Sequence, residues 1–307
     1  KFKSLSPAAK IDVINWLGNN HVVSQTDLVV ENISSQDMPL AIAAVNAASK
    51  IGGDKSLAAL TSALGDDNEL SAAAQAALLS FNGNINSGIL EALDSSDSNV
   101  VAKALRLASA RHIYDAYPKT VNLIANGNSQ VNIIALKGLK GVVRPENFED
   151  VCKMLETVKG QEEIAELQAA AKNAIVSLDA DSQFKKVESV MNGKKDAKIV
   201  SRYYPILAQT AAVQAIDRLL ADYNATKSAE AYDALMQVNN QSMIPVLFDI
   251  AANNPDKKDA TLRRYMQLVQ SYGLPAIEQY RLFSNALALA PSVDVQNALI
   301  SALANGR

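Results

Sequence analysis

Apolar and polar positions repeat along this chain at two scales, and the stretch from Lys55 to Arg111 shows both. One pattern occurs twice there, first as SLAALTSALGDDNELSAAAQAALLSFNG and then as INSGILEALDSSDSNVVAKALRLASAR. Each copy is an apolar run, a short turn of Asp, Asn, Ser and Gly, and an Ala-rich run. Within the second runs the spacing is helical: Leu70, Ala74 and Leu78 fall at i, i+4 and i+8, as do Val100, Ala104 and Ala108. The unit is therefore a helical hairpin of about thirty residues, a length typical of repeat architectures. One hairpin is too thin to bury its own apolar face, so neighbouring hairpins must stack and share a core.

Carried along the chain, this register gives a column of second-helix residues with apolar neighbours four positions to either side. The column is Val13, Ala44, Ala74, Ala104, Ala135, Ala171, Tyr204, Leu235, Met266 and Leu299. First helices are predicted at Gln25–Ile33, Lys55–Leu64, Ile85–Leu93, Tyr117–Ala125, Phe148–Val158, Gln183–Met191, Ala212–Tyr223, Met243–Ala252 and Pro275–Ala290. The longest step, Ala135 to Ala171, holds VVRPENFEDV, where Pro145 and the polar residues after it lengthen the turn. Gly18, Gly52, Gly83, Gly127, Gly193 and Gly273 stand just past apolar runs and read as helix terminators. Asp37, Asp67, Ser98 and Ser129 or Gln130 precede the next run, mostly as N-caps, and Pro7 and Pro275 fit first-turn positions. Alanine in the column gives way to larger residues after Ala171, which predicts a change of curvature near residues 179–192 within one array spanning 1–307.

Composition agrees with close-packed helices: hydrophobic residues make up 49% of the chain and aromatics only 5%. A net charge of -3 supplies no pull toward nucleic acid or an anionic membrane, and no segment is strongly basic. No apolar run approaches the ~20 residues that span a bilayer. The single cysteine, Cys152, excludes an internal disulfide. The chain opens at Lys1 with helix-forming sequence, which reads as a segment of something longer, and its last residues, Asn305 to Arg307, read as a helix cap. Trp16 lies on a first helix that reads as half of a repeat or as an N-terminal cap.

The segments ALGDDNELSAAAQAAL and ALDSSDSNVVAKAL resemble HEAT repeats of the armadillo-like family. That resemblance implies an all-α, right-handed α-α superhelix of about nine to ten hairpins that presents a long surface to another protein. The Arg that usually opens the second helix is absent, since Ser71 follows Leu70 and Val101 follows Val100. The family's ladder of Asp–Arg pairs between repeats is therefore not expected. LSPAAKIDVINWLG and TLRRYMQLVQSYGLPAIEQYRLFSNALALA are similar to helical segments of large exported bacterial proteins that carry a 3-keto-disaccharide hydrolase-like domain. This second resemblance implies a periplasmic or otherwise exported setting, with a cytoplasmic one as the alternative. It also implies an accessory role beside a carbohydrate-active domain, with carbohydrate as a partner through the parent protein.

Candidate chemistry is sparse. His21, His112 and Cys152 are the only His and Cys residues, and the two histidines fall in turns three repeats apart, so no metal site or cofactor is predicted. Ser182 and Lys185 have an S-x-x-K spacing that a capping serine also gives, and Asp66, Asp67 and Glu69 occupy a helix start, where the dipole favours them. No catalytic residue is predicted. A binding surface is predicted instead from exposed Tyr and Arg of the later half: Arg202, Tyr203, Arg263, Arg264, Tyr272 and Tyr280. Tyr204, Phe283 and one of Tyr265 or Met266 are needed for the core. The partner is another protein or a neighbouring domain of the same chain.

Overall fold

The computed structural model describes residues 2–305, so the terminal cap read at Gly306 and Arg307 lies outside the described residues. Helices account for the regular structure among the described residues, with no strand. They are α1 (Pro7–Asn19), α2 (Thr26–Glu31), α3 (Met38–Ile51), α4 (Gly53–Ser62), α5 (Glu69–Leu79), α6 (Asn86–Ala92) and α7 (Ser98–Ala110). Next come α8 (Tyr117–Asn126), α9 (Ser129–Gly138), α10 (Phe148–Thr157), α11 (Gln161–Ile175), α12 (Ala180–Met191), α13 (Ala197–Ser201) and α14 (Tyr204–Thr210). The chain closes with α15 (Val213–Thr226), α16 (Ala229–Gln237), α17 (Met243–Asn253), α18 (Lys258–Ser271), α19 (Ala276–Leu287) and α20 (Val293–Asn305). Two compact units contain them: Lys1–Val151 with Lys159–Ala174, and Cys152–Val158 with Ile175–Arg307.

In the first unit, second helices stack in one layer, α1 on α3, α3 on α5, α5 on α7 and α7 on α9. The shorter helices α2, α4 and α6 form the other layer, each also packing on its hairpin partner. This is a helical-repeat stack, as the hydrophobic period predicts. Ala44, Ala74, Ala104, Ala135 and Ala171 all lie in the core, where a methyl group lets the backbones approach. Gly18 shows the same demand in sharper form. It is an interior residue of α1 rather than a terminator, and a Cβ there would come within 2.6 Å of the Ala47 Cα on α3. Gly52, by contrast, does end α3, with φ at +76°.

In the second unit α12 packs on α14, α14 on α16, and the hairpins α15–α16, α17–α18 and α19–α20 repeat the motif. Leu235 and Leu299 are buried on schedule, but Tyr265 takes the place expected of Met266, just as Ile14 takes that of Val13 in α1. In both helices the buried stripe runs one position away, through Leu262, Tyr265 and Val269 and through Ile14, Leu17 and Gly18. Caps shift similarly. Asp37 caps α3 as predicted, but Asn68, Asp97 and Asn128 cap α5, α7 and α9 in place of Asp67, Ser98 and Ser129. Each of these caps has the extended backbone that aims a side-chain oxygen back at the first turn.

The missing Asp–Arg ladder has a substitute. Lys103, on α7 and only 8% exposed, reaches back to the α4–α5 turn. Its Nζ donates to Leu64 O at 3.0 Å, Asp66 O at 2.7 Å and Ser71 Oγ at 2.6 Å. All three ammonium protons thus meet neutral acceptors. His21 and His112 do parallel work. Both have positive φ just past a second helix, and both place Nδ1 on a carbonyl of the next second-helix end, Lys50 O at 2.7 Å and Gly141 O at 3.1 Å. A carbonyl only accepts, so each Nδ1 carries the proton.

Candidate recognition cleft in the second unit

The six residues predicted to form a binding surface differ in exposure: Tyr203 is buried, Arg202, Arg264 and Tyr272 are half-buried, and Arg263 and Tyr280 are exposed. Tyr203 is fully buried, and its hydroxyl donates to Glu156 Oε1. Burial first, and then the hydrogen bond to Glu156, pushes the Tyr203 hydroxyl well above its usual 10.0. Arg202 is half-buried and donates to Leu155 O. These two residues anchor the second unit to its own part of α10 and are structural. Arg264 is half-buried and donates to Val238 O at 3.0 Å, and Tyr272 ends α18, also half-buried. Arg263 is exposed but held by Asp259 at 2.7 Å, and Asp259 also accepts from Ser292 Oγ at 2.9 Å. Those two bonds hold the Asp259 carboxyl below its usual range. Tyr280, 59% exposed on α19, is the member that presents an aromatic surface.

Next to Tyr280 on the same helix is a feature that needed three dimensions. A cleft of about 330 Å³ opens between α17 and α19. The ring of Tyr265, from α18, lies at its floor beside Phe248, with ring centroids 6.1 Å apart and planes tilted by 50°. Ile244, Pro245, Leu274 and Leu282 complete the apolar lining. The Tyr265 hydroxyl donates to Leu282 O at 3.1 Å, so its one proton is already used. Burial pushes this hydroxyl up to about 12, against a smaller downward pull from Arg281.

Charged groups stand at the mouth. Asp249 comes from α17, and Glu278 and Arg281 from α19. Glu278 and Arg281 are three residues apart on one helix, a spacing that allows an ion pair, yet none forms. Half-buried charges elsewhere in this unit are paired: Arg218 bonds Glu188 at 2.8 Å and Asp222 at 3.1 Å, and Lys194 bonds Glu156 at 2.8 Å. The cleft combines an apolar lining with charges of both signs.

A larger but shallower groove, about 800 Å³, lies between α4 and α6 in the first unit. Its lining is mainly small and hydroxylic, and one of its three acids, Asp94, is already bonded to Lys119 at 2.5 Å. Volume alone favours this groove. Recognition, however, rests on desolvated aromatic and aliphatic surface with a few converging polar groups, which favours the smaller cleft. Among the described residues no group of three or more His, Cys, Asp or Glu is arranged to hold a metal ion, and no helix is long and apolar enough to cross a membrane.

No family model matches this chain, and no curated protein matches it either. Among solved structures it is similar to the complex of CpcE and CpcF of phycocyanin lyase from Nostoc sp. PCC7120, at 15% sequence identity. That match covers 92% of this chain and 94% of the other, with a TM-score of 0.37.

Proposed function

We propose that this chain is a non-catalytic helical-repeat scaffold that docks a partner protein through the cleft between α17 and α19. One observation carries the reading: the cleft pairs an apolar lining, in which the half-buried ring of Phe248 lies over the buried Tyr265, with three charged side chains, Asp249, Glu278 and Arg281, that form no ion pair among the described residues. An apolar hole ringed by polar groups is the anatomy of an interface hot spot, in which buried anchors supply affinity and the rim supplies selectivity. At about 330 Å³ the hole suits one large side chain with the backbone that carries it.

A photo-crosslinking residue placed at position 241, an exposed residue lining the cleft, with a matched one at exposed Asn126 on α8, tests the proposal in the source cells. The expected result is a discrete protein adduct at 241 that is absent at 126 and is lost when Asn285, an exposed cleft residue, becomes Trp and fills the mouth. The same adducts at both positions, or an adduct indifferent to Asn285→Trp, would overturn it.

A further inference from the structure

We infer that the occupant of the cleft is a peptide segment bearing a large apolar anchor beside a basic side chain, and that Asp249 and Glu278 receive the base. The inference rests on the docking reading above and adds the chemistry of the partner.

The floor selects the anchor. Phe248 has no polar atom, and the only hydrogen-bond donor of the Tyr265 side chain is taken by Leu282 O. A polar side chain entering here would surrender its water without finding a donor on that floor, whereas Leu, Met or Phe would gain contact with the half-buried Phe248 ring and the aliphatic lining. The mouth selects the neighbour. Asp249 and Glu278 stand on the two helices that bound the cleft, and neither has an ionic partner. A single Lys or Arg between them can meet both carboxylates, which a neutral or acidic group cannot.

Arg281 leaves the mouth with two negative charges against one positive, so the balance still favours a cation, and the chain as a whole carries -3. Its guanidinium stands one helical turn along α19 from Glu278, where it can take a carboxylate of the segment on the far side of the anchor. Charge order along the peptide then fixes its direction. A second copy of this chain is a poor occupant by the same measure, because two bodies of equal net negative charge repel.

The test is selection of a random dodecapeptide phage library on the full chain, followed by anisotropy titration of the enriched peptides. A consensus with a large apolar residue and Lys or Arg within four positions is expected. Charge reversal by Asp249→Lys with Glu278→Lys, both on the surface side of the cleft, should weaken such a peptide about tenfold or more. A peptide with Glu in place of its base should regain binding to the reversed protein. An enriched consensus that places acids beside the anchor, or binding unmoved by the double reversal, overturns the charge assignment. In either case loss of binding in Asn285→Trp would leave the docking reading standing. Enriched peptides that ignore Asn285→Trp, or no enrichment at all, overturn both.

Discussion

Where the first unit places Ala44, Ala74, Ala104 and Ala135 within its second helices, the second unit places Leu235, Tyr265 and Leu299, and Tyr204 opens α14. Both units use side chains that cross between repeats to backbone carbonyls, Lys103 to Leu64 and Asp66 and Arg111 to Leu79 at 2.8 Å in the first, Arg202 to Leu155 and Arg264 to Val238 in the second. The second unit adds tyrosine hydroxyls that tie helices together: Tyr203 to Glu156, Tyr223 to Asn254 at 3.1 Å, Tyr232 to Thr261 at 2.9 Å. Small core residues permit close backbone approach but leave little surface to expose. Large ones carry more surface, and beside the cleft between α17 and α19 the half-buried ring of Phe248 lies over the buried ring of Tyr265.

The contrast predicts opposite responses to a change of side-chain size. Leu235→Ala removes a fully buried side chain from the second unit and is expected to cost about 2–5 kcal/mol, through lost transfer energy and the cavity left behind. Ala104→Leu inserts bulk where there is no room and is expected to cost about 1–3 kcal/mol. Hydrogen exchange resolved by segment should place the first loss in α14–α18 and the second in α5–α9. If Ala104→Leu is neutral, the first unit is not held at close approach and the comparison breaks.

Lys103→Met comes next. It keeps the buried stem but strips three acceptors of their donor, an expected loss of about 2 kcal/mol with faster exchange at residues 64–71. Because those acceptors are uncharged, the wild-type contribution should not change between low and high salt in urea melts. A salt-dependent difference would show that a carboxylate serves Lys103 in solution.

A smaller effect belongs to Tyr232. Thr261 Oγ donates to Lys257 O at 2.7 Å, so in the Tyr232–Thr261 bond the tyrosine must be the donor. Tyr232→Phe should then cost about 1 kcal/mol, and Thr261→Val more, because it leaves a buried hydroxyl without an acceptor. The double variant should be milder than the sum, a coupling that a double-mutant cycle reads directly.

Much of the fold was legible because alanine and leucine at helical spacing leave few alternatives over so many turns. The errors have a common cause. A buried stripe is wider than one residue, so Val13 with Ile14, and Met266 with Tyr265, satisfy the same pattern, and neighbouring packing decides between them. The site was barely legible. Tyr203 and Tyr280 look alike in sequence, each beside an Arg, yet one is buried on Glu156 and the other faces water. Asp249 and Glu278 carried no signal at all, because their meaning comes from two helices and an intervening α18 that bring them to one mouth. Only the spacing of Glu278, Arg281, Leu282 and Asn285, at i, i+3, i+4 and i+7, hinted at a second organised face on α19.

The smallest expected effect concerns Glu156, which joins the two kinds of tie in the second unit by accepting from the Tyr203 hydroxyl and from Lys194 Nζ at 2.8 Å. Burial alone would raise its carboxyl, but the bonds from Lys194 and Tyr203 outweigh it and leave the group below the usual 4.5. A carboxyl depressed on folding contributes stability that is fully present above its unfolded value and disappears as pH falls through its folded value. The contribution should therefore be intact at pH 7 and fade only below about 4.5. Glu156→Gln keeps the shape and removes the titration, with an expected cost of about 1 kcal/mol at neutral pH. Urea melts of both proteins across the acid range would show their stabilities converging as pH drops. Parallel curves would mean that Tyr203 is held by packing alone, and that the tyrosine ties of the second unit owe nothing to charge.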